Sequence, residues 1–232
     1  MSIKKSMLAL AVAAMATMAF ASSAMATDGV FRHVTGTTEM PANRELHMIG
    51  WMRFFTTAKG SYECHVTLIV KSTNASTGTV TSFTVPDTTK CTGTGLLNGC
   101  KLKAHEPTNL PYHVTVTDNG RLDITGNIVF HLKYSSCLAP EVTLTFSEIQ
   151  LTPLATGVRT VTGANNKLGG TAALNEAIAG FEIDSSSTDE GTKPGTAHIK
   201  DLFGGEKTEA ITLPGEFEFT EADRCTWEIS PN

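Results

Sequence analysis

The stretch YHVTVTDNGRLDITGNIVFHLK, residues 112–133, decides the fold class. Tyr112, Val114 and Val116 alternate with polar residues, and so do Leu122, Ile124, Ile128, Phe130 and Leu132. A period of two puts each set on one face of a strand. Between the two arms stands Asp118-Asn119-Gly120. Asn-Gly supplies the positive φ angles that a tight antiparallel hairpin needs. Gly126 falls in the apolar register of the second arm and reads as a bulge or twist point.

The same alternation extends outward in both directions. Residues 62–71 (YECHVTLIVK) place Cys64, Val66, Leu68 and Val70 on one face, residues 79–85 alternate again, and residues 142–149 (VTLTFSEI) do the same. Residues 45–57 (ELHMIGWMRFFTT), with Gly50 in the middle, read as one long bent strand or two short ones. Beyond residues 153–157 the pattern weakens. Residues 172–179 have a short helical composition closed by Gly180, residues 199–203 read as a weak strand, and 210–213, 216–220 and 225–229 as closing strands. The expected fold is all-β, with antiparallel sandwich or barrel-like modules stapled by disulfides. Residues 27–153 form a disulfide-bearing β module. Residues 154–232 are a second, smaller module or the remainder of the same fold.

The first 26 residues read as a signal peptide. Lys4 and Lys5 precede the uncharged apolar run 7–20, and Ala24-Met25-Ala26 is a small-x-small cleavage site. The expected mature chain begins at Thr27, outside the cytoplasm, in the periplasm, at the cell surface or secreted. No later apolar run is long enough to span a membrane as a helix, no Cys lies near the cleavage site to take a lipid, and the polar ending shows no anchor signal. The net charge of −5, before two lysines leave with the signal, argues against nucleic acid or an anionic membrane as the main partner.

Five cysteines follow the signal: Cys64, Cys91, Cys100, Cys137 and Cys225. In an exported chain they read as a disulfide framework with one thiol left over. The spacing alone leaves several pairings open. The Gly-rich segment between Cys91 and Cys100 favours a local staple between those two, which leaves Cys64 to pair with Cys137. Cys225 is then the free thiol, either buried and inert beside Trp227 or available to join two copies. The cysteine spacing does not match a zinc site.

No nucleophile elbow, metalloprotease helix, phosphate loop or Cys-x-x-Cys occurs in the chain. No catalytic residue, cofactor or metal ligand is expected on this reading. Four weaker features remain. Asp184, Ser186, Thr188 and Glu190 alternate as calcium ligands do, but a calcium hand needs Gly where Asp189 stands and Glu where Gly195 stands. His113 and His131 share the polar face of the hairpin, where a pair could bind a metal or move protons. Trp51, Arg53, Phe54 and Phe55 form either an aromatic binding patch or part of the core. Asn74-Ala75-Ser76 spells a glycosylation acceptor.

The layout Cys64…Cys91-Thr-Gly-Thr-Gly-Leu-Leu-Asn-Gly-Cys100…Cys137, with Leu110-Pro111-Tyr112 before the hairpin, resembles uncharacterised exported bacterial β proteins over residues 62–149. The resemblance implies compartment and fold and brings no site. The functional expectation is a non-enzymatic exported protein that binds or decorates something at the cell surface. The alternative is a secreted hydrolase whose site assembles from separated strands, marked by a pocket with a His within reach of Ser, Asp or Glu. An outer-membrane barrel is the third reading, opposed by the cysteine framework and the polar ending.

Overall fold

The computed structural model describes residues 29–33, 37–56, 60–117, 120–153, 181–183, 195–211, 213, 215–224 and 227–230. The chain passes through β1 (Val30–His33), β2 (Glu45–Thr56), β3 (Gly60–Ser72), β4 (Thr77–Thr84), β5 (Thr92–Gly93), β6 (Lys101–Thr108), β7 (Tyr112–Val116), β8 (Leu122–Ser135) and β9 (Glu141–Pro153). Then come β10 (Phe181–Ile183), β11 (Gly195–Lys200), β12 (Glu206–Ile211), β13 (Gly215–Phe219), one helical turn over Glu221–Arg224, and β14 (Trp227–Ser230).

The pairings close on themselves. From β8 the hydrogen-bonded order runs β9, β10, β13, β2, β3, β4, β7 and back to β8, antiparallel throughout. Closure removes free strand edges from this ring. Strands on both sides of Pro153 share it, because β10 and β13 fill the gap between β9 and β2.

β8 and β9 outrun the ring. The start of β8 pairs with β7 as far as His113↔Thr125, and its later half pairs instead with β6, from Thr108↔Val129 to Lys101↔Ser135. Likewise the end of β9 pairs with β10 and its start with β11, which carries β12. The barrel therefore continues as a flap in the order β6-β8-β9-β11-β12. The switch of partners falls at the bulge expected at Gly126. The β8–β9 register shifts between Thr125 and Ile128, and Gly126 has φ +134°. A bulge sharpens the local bend and lets one strand serve two neighbours.

Alternation sets what fills the inside. Met48, Leu68, Tyr112, Ile124, Ile128, Phe130, Phe146 and Phe217 are fully buried and belong to one core. Each such side chain contributes about 1.5–3 kcal/mol by leaving water. Many outward positions carry Thr, His, Lys and Glu. No helix among the described residues is long and apolar enough to cross a membrane.

β1 and β14 pair and plug one end of the barrel. Phe31 meets Phe219 edge-on at 5.9 Å, and the Phe31 N–H donates to Ala75 O at 2.9 Å. The opposite end is tied by two disulfides, and here the sequence expectation is corrected. The bonds are Cys64–Cys91 and Cys100–Cys137, not Cys91–Cys100 and Cys64–Cys137. The Gly-rich segment does not fold back on itself. Instead β5 pairs with Tyr62 and Glu63 of β3, which sets Cys91 beside Cys64, with Cα atoms 4.4 Å apart. A 3-10 turn at Gly95–Leu97 then carries the chain to β6, whose pairing of Lys101 with Ser135 brings Cys100 to Cys137. The Tyr62 hydroxyl accepts from Leu102 N at 3.0 Å and donates to Cys100 O, pinning β6 over the barrel mouth.

Four strands, β1, β5, β6 and β10, were not expected from the sequence. β6 reads as polar and contains Pro107, which removes one ladder donor and suits a strand at the sheet margin. β1 is only four residues long. β2 is one strand rather than two. β11 is Gly195–Lys200, so Leu202 and Phe203 lie in the turn after it. The signal-peptide residues, the helical reading of 172–179, the Asp184–Glu190 loop and Cys225 lie outside the described residues.

Candidate functional site

Among the described residues, the inward side chains of the barrel pack into one core. The void lined by Met52, Tyr62, Cys64, Leu102, His105 and Leu144 measures about 10 Å³, room for one water at most. His105 reaches it from β6, with its ring 5.2 Å from Phe130 and 5.8 Å from Phe83, and both ring nitrogens are buried without a partner. Burial among apolar groups pushes its pKa down from 6.5 to about 4. The imidazole is thus neutral at physiological pH and serves as packing.

The structure does not bring His113 and His131 together. His113 stands opposite Thr125, whereas His131 stands opposite Glu106 and Thr143, six residues further along β8. At about 3.3 Å per residue this separates them by roughly 20 Å. His131 Nδ1 instead lies 3.0 Å from Thr143 Oγ1. One strand further on, His198 contacts Thr208 at 3.2 Å and Glu206 at 3.4 Å. No three His, Cys, Asp or Glu among the described residues are placed to hold a metal ion.

Trp51 is buried, and the Arg53 guanidinium lies 5.5 Å from its ring centroid while pairing with Glu63 across β2–β3. Phe54 and Phe55 continue β2 opposite Tyr62 and Ser61. Asn74 is exposed in the β3–β4 turn, where its side-chain oxygen accepts from Ser76 N and Thr77 N at 2.8 Å.

A groove that the sequence reading did not anticipate lies at the plugged end of the barrel. Its volume is about 450 Å³, and it is lined by Asn43, Arg44, Glu45, His47, Thr220 and Asp223, among others. A volume of this order suits a small-molecule ligand. Thr220 follows β13, and its N–H donates to His47 O at 2.8 Å. The turn that follows spells Thr-x-x-Asp, the pattern of a capping box. Here Asp223 turns to β2. Only 3% exposed, it accepts the His47 N–H at 2.8 Å and the Thr220 hydroxyl at 3.2 Å, with Arg44 Nη2 at 3.4 Å. The His47 ring lies against the same carboxylate, Nδ1 to Oδ2 3.4 Å, and is about half exposed on the groove.

The arrangement is a buried carboxylate orienting one imidazole and one guanidinium toward solvent. A carboxylate–imidazole pair is part of a nucleophilic triad, but its third member is not supplied here by either nearby hydroxyl. The Thr220 O–H is committed to Asp223, and the Ser72 O–H to Pro41 O at 2.7 Å. His47 and Asp223 are 176 residues apart in sequence, which hid the pair. The readable signal was the Thr-x-x-Asp spelling of residues 220–223. No family model, curated protein or solved structure matches the chain.

Proposed function

We propose that this protein is an exported, non-enzymatic binding protein of the cell surface or extracytoplasmic space, and that the groove at Arg44, His47 and Asp223 is where it holds its ligand. The observation that carries the reading is the buried Asp223 carboxylate. It holds two cation-capable side chains at the wall of an open groove of ligand size, whereas the void beside His105 has room for one water at most. The signal-like residues 1–26 and the two disulfides support export into an oxidising compartment.

The ligand class follows from the walls. Arg44 offers a planar fork suited to carboxylates. Asn43, Glu45, His47 and Thr220 offer hydrogen-bonding groups beside apolar surface of similar extent. This chemistry fits an acidic saccharide. A titration with uronic-acid oligosaccharides, followed by NMR at the His47 ring and the Arg44 side chain, tests it. Localised shifts, with affinity falling about tenfold in Arg44→Ala, support the reading. No shift at millimolar ligand overturns it.

The second reading, a hydrolase, draws on the 3.4 Å contact of His47 with Asp223, in which His47 would act as a general base on water. New reducing ends that vanish in His47→Ala would replace the binding reading with this one.

A further inference from the structure

We propose that the disulfide-tied end of the barrel docks on the interface of a lipid bilayer by inserting Phe203, with Leu202 and Leu138 beside it. The groove lies at the other end of the barrel, so this inference does not rest on the proposed ligand site.

Phe203 is 91% exposed, Leu202 58% and Leu138 55%, and they are the exposed large apolar side chains of the described structure. They sit on two adjoining tips. Leu138 follows Cys137 in the β8–β9 connection, which the Cys100–Cys137 bond ties to β6. Leu202 and Phe203 form the β11–β12 turn, and the Leu202 N–H donates to Leu138 O at 3.1 Å. The tips are therefore one rigid unit, and the apolar side chains are held outward by bonds rather than by chance.

The turn is also closed to water on its own side. Asp201 Oδ1 accepts from Phe203 N and Gly205 N, both at 2.8 Å, and Gly204 N donates to Asp201 O at 3.2 Å. With Leu202 N on Leu138, four consecutive backbone donors are satisfied internally. A tip that enters an apolar phase must meet this condition, since each unpaired donor there is strongly penalised. Just behind it, Lys200 lies 3.8 Å from Glu141, and Lys133 lies 3.2 Å from Glu106, while the Asp201 carboxylate in the turn itself is held by backbone N–H groups.

The shape selects the occupant. Three side chains on a convex tip bury far less than the roughly 1,000 Å² that a specific protein interface needs. A second copy presents the same convex tip and cannot enclose it. A bilayer interface accepts a small wedge without a matching pocket. The net charge of −5 makes apolar insertion, not attraction to anionic headgroups, the driving term.

The test places an indole at the tip with Phe203→Trp in the full chain, and adds phosphatidylcholine vesicles with or without brominated acyl chains. The wild-type protein supplies the Trp51 and Trp227 background. A blue shift, with quenching by the brominated lipid beyond that background, is the expected result, and it reads position 203 whatever the apolar N-terminal residues do. Phe203→Ala, an exposed change checked by its thermal melt, lowers vesicle partitioning about tenfold. An unshifted, unquenched indole at excess lipid overturns the proposal. A blue shift that grows with protein concentration without vesicles also overturns it, in favour of a second copy.

Discussion

The Asp223 carboxylate accepts the backbone N–H of His47 at 2.8 Å, and this bond joins the turn after β13 to the start of β2. Asp223 is buried and gathers Thr220, Arg44 and the His47 ring as well. Asp223→Ala leaves a buried backbone donor and a hydroxyl unpaired, and is expected to destabilise the protein by about 2–4 kcal/mol. His47→Ala keeps the backbone bond and is expected to cost less than about 1 kcal/mol, since it removes only a half-exposed side-chain contact. Urea unfolding of both variants checks the difference.

His105 makes stability depend on pH. Its folded pKa of about 4 lies below the unfolded value of 6.5. Above pH 6.5 both states are neutral and nothing is lost. Between 6.5 and 4 the unfolded state takes up a proton that the folded state refuses, so stability falls as pH falls, by up to about 3 kcal/mol. His105→Phe keeps the stacking on Phe83 and Phe130 and is expected to flatten that part of the profile. Thermal melts across the range measure it.

The disulfides differ in what they hold. Non-reducing digestion should release one linked pair containing Cys64 and Cys91 and another containing Cys100 and Cys137. Replacing either pair by Ala is expected to cost about 3–5 kcal/mol through the freed loop. Loss of Cys100–Cys137 also frees the tip beside Leu138. Faster amide exchange in residues 137–140 is the expected readout, with β2 and β3 unchanged.

Gly50 faces β13 at close range. A Cβ at this position would stand 2.1 Å from Glu216 O, a backbone atom that cannot give way without moving the strand. Gly50→Ala is expected to cost about 3 kcal/mol or more. Gly126→Ala meets no neighbour but holds φ +134° and is expected to cost about 1–3 kcal/mol. Chemical denaturation of the two variants ranks them.

Much of the strand content was legible. Residues 62–71, 112–117 and 142–149 became β3, β7 and β9, because an apolar residue at every second place has one face to bury. The bulge at Gly126 was legible for a related reason, since a glycine in an apolar register marks a place where the ladder slips. β6 was not, because Lys101, Lys103, Glu106 and Pro107 mask its inward contributions, buried Leu102 and partly buried His105. The groove was not legible either. His113 and His131 drew attention as neighbours on one hairpin, yet the register set them apart, while His47 met Asp223 from the far end of the chain.

By itself, the sequence determined most of the longer strands, which face of each is apolar, and that the four cysteines between residues 64 and 137 are close enough in chain to staple them. Beyond the β7–β8 hairpin, only the tertiary structure decided which strands meet. The closure of β4 on β7 and β13 on β2, the pairing of Cys64 with Cys91, the contact of Asp223 with His47 and the joining of Leu138 to the Phe203 turn all depend on it. The physical reason is that a period of two specifies a buried side but not a neighbour. Neighbours are chosen by register, strand length and bulges acting across the whole barrel at once.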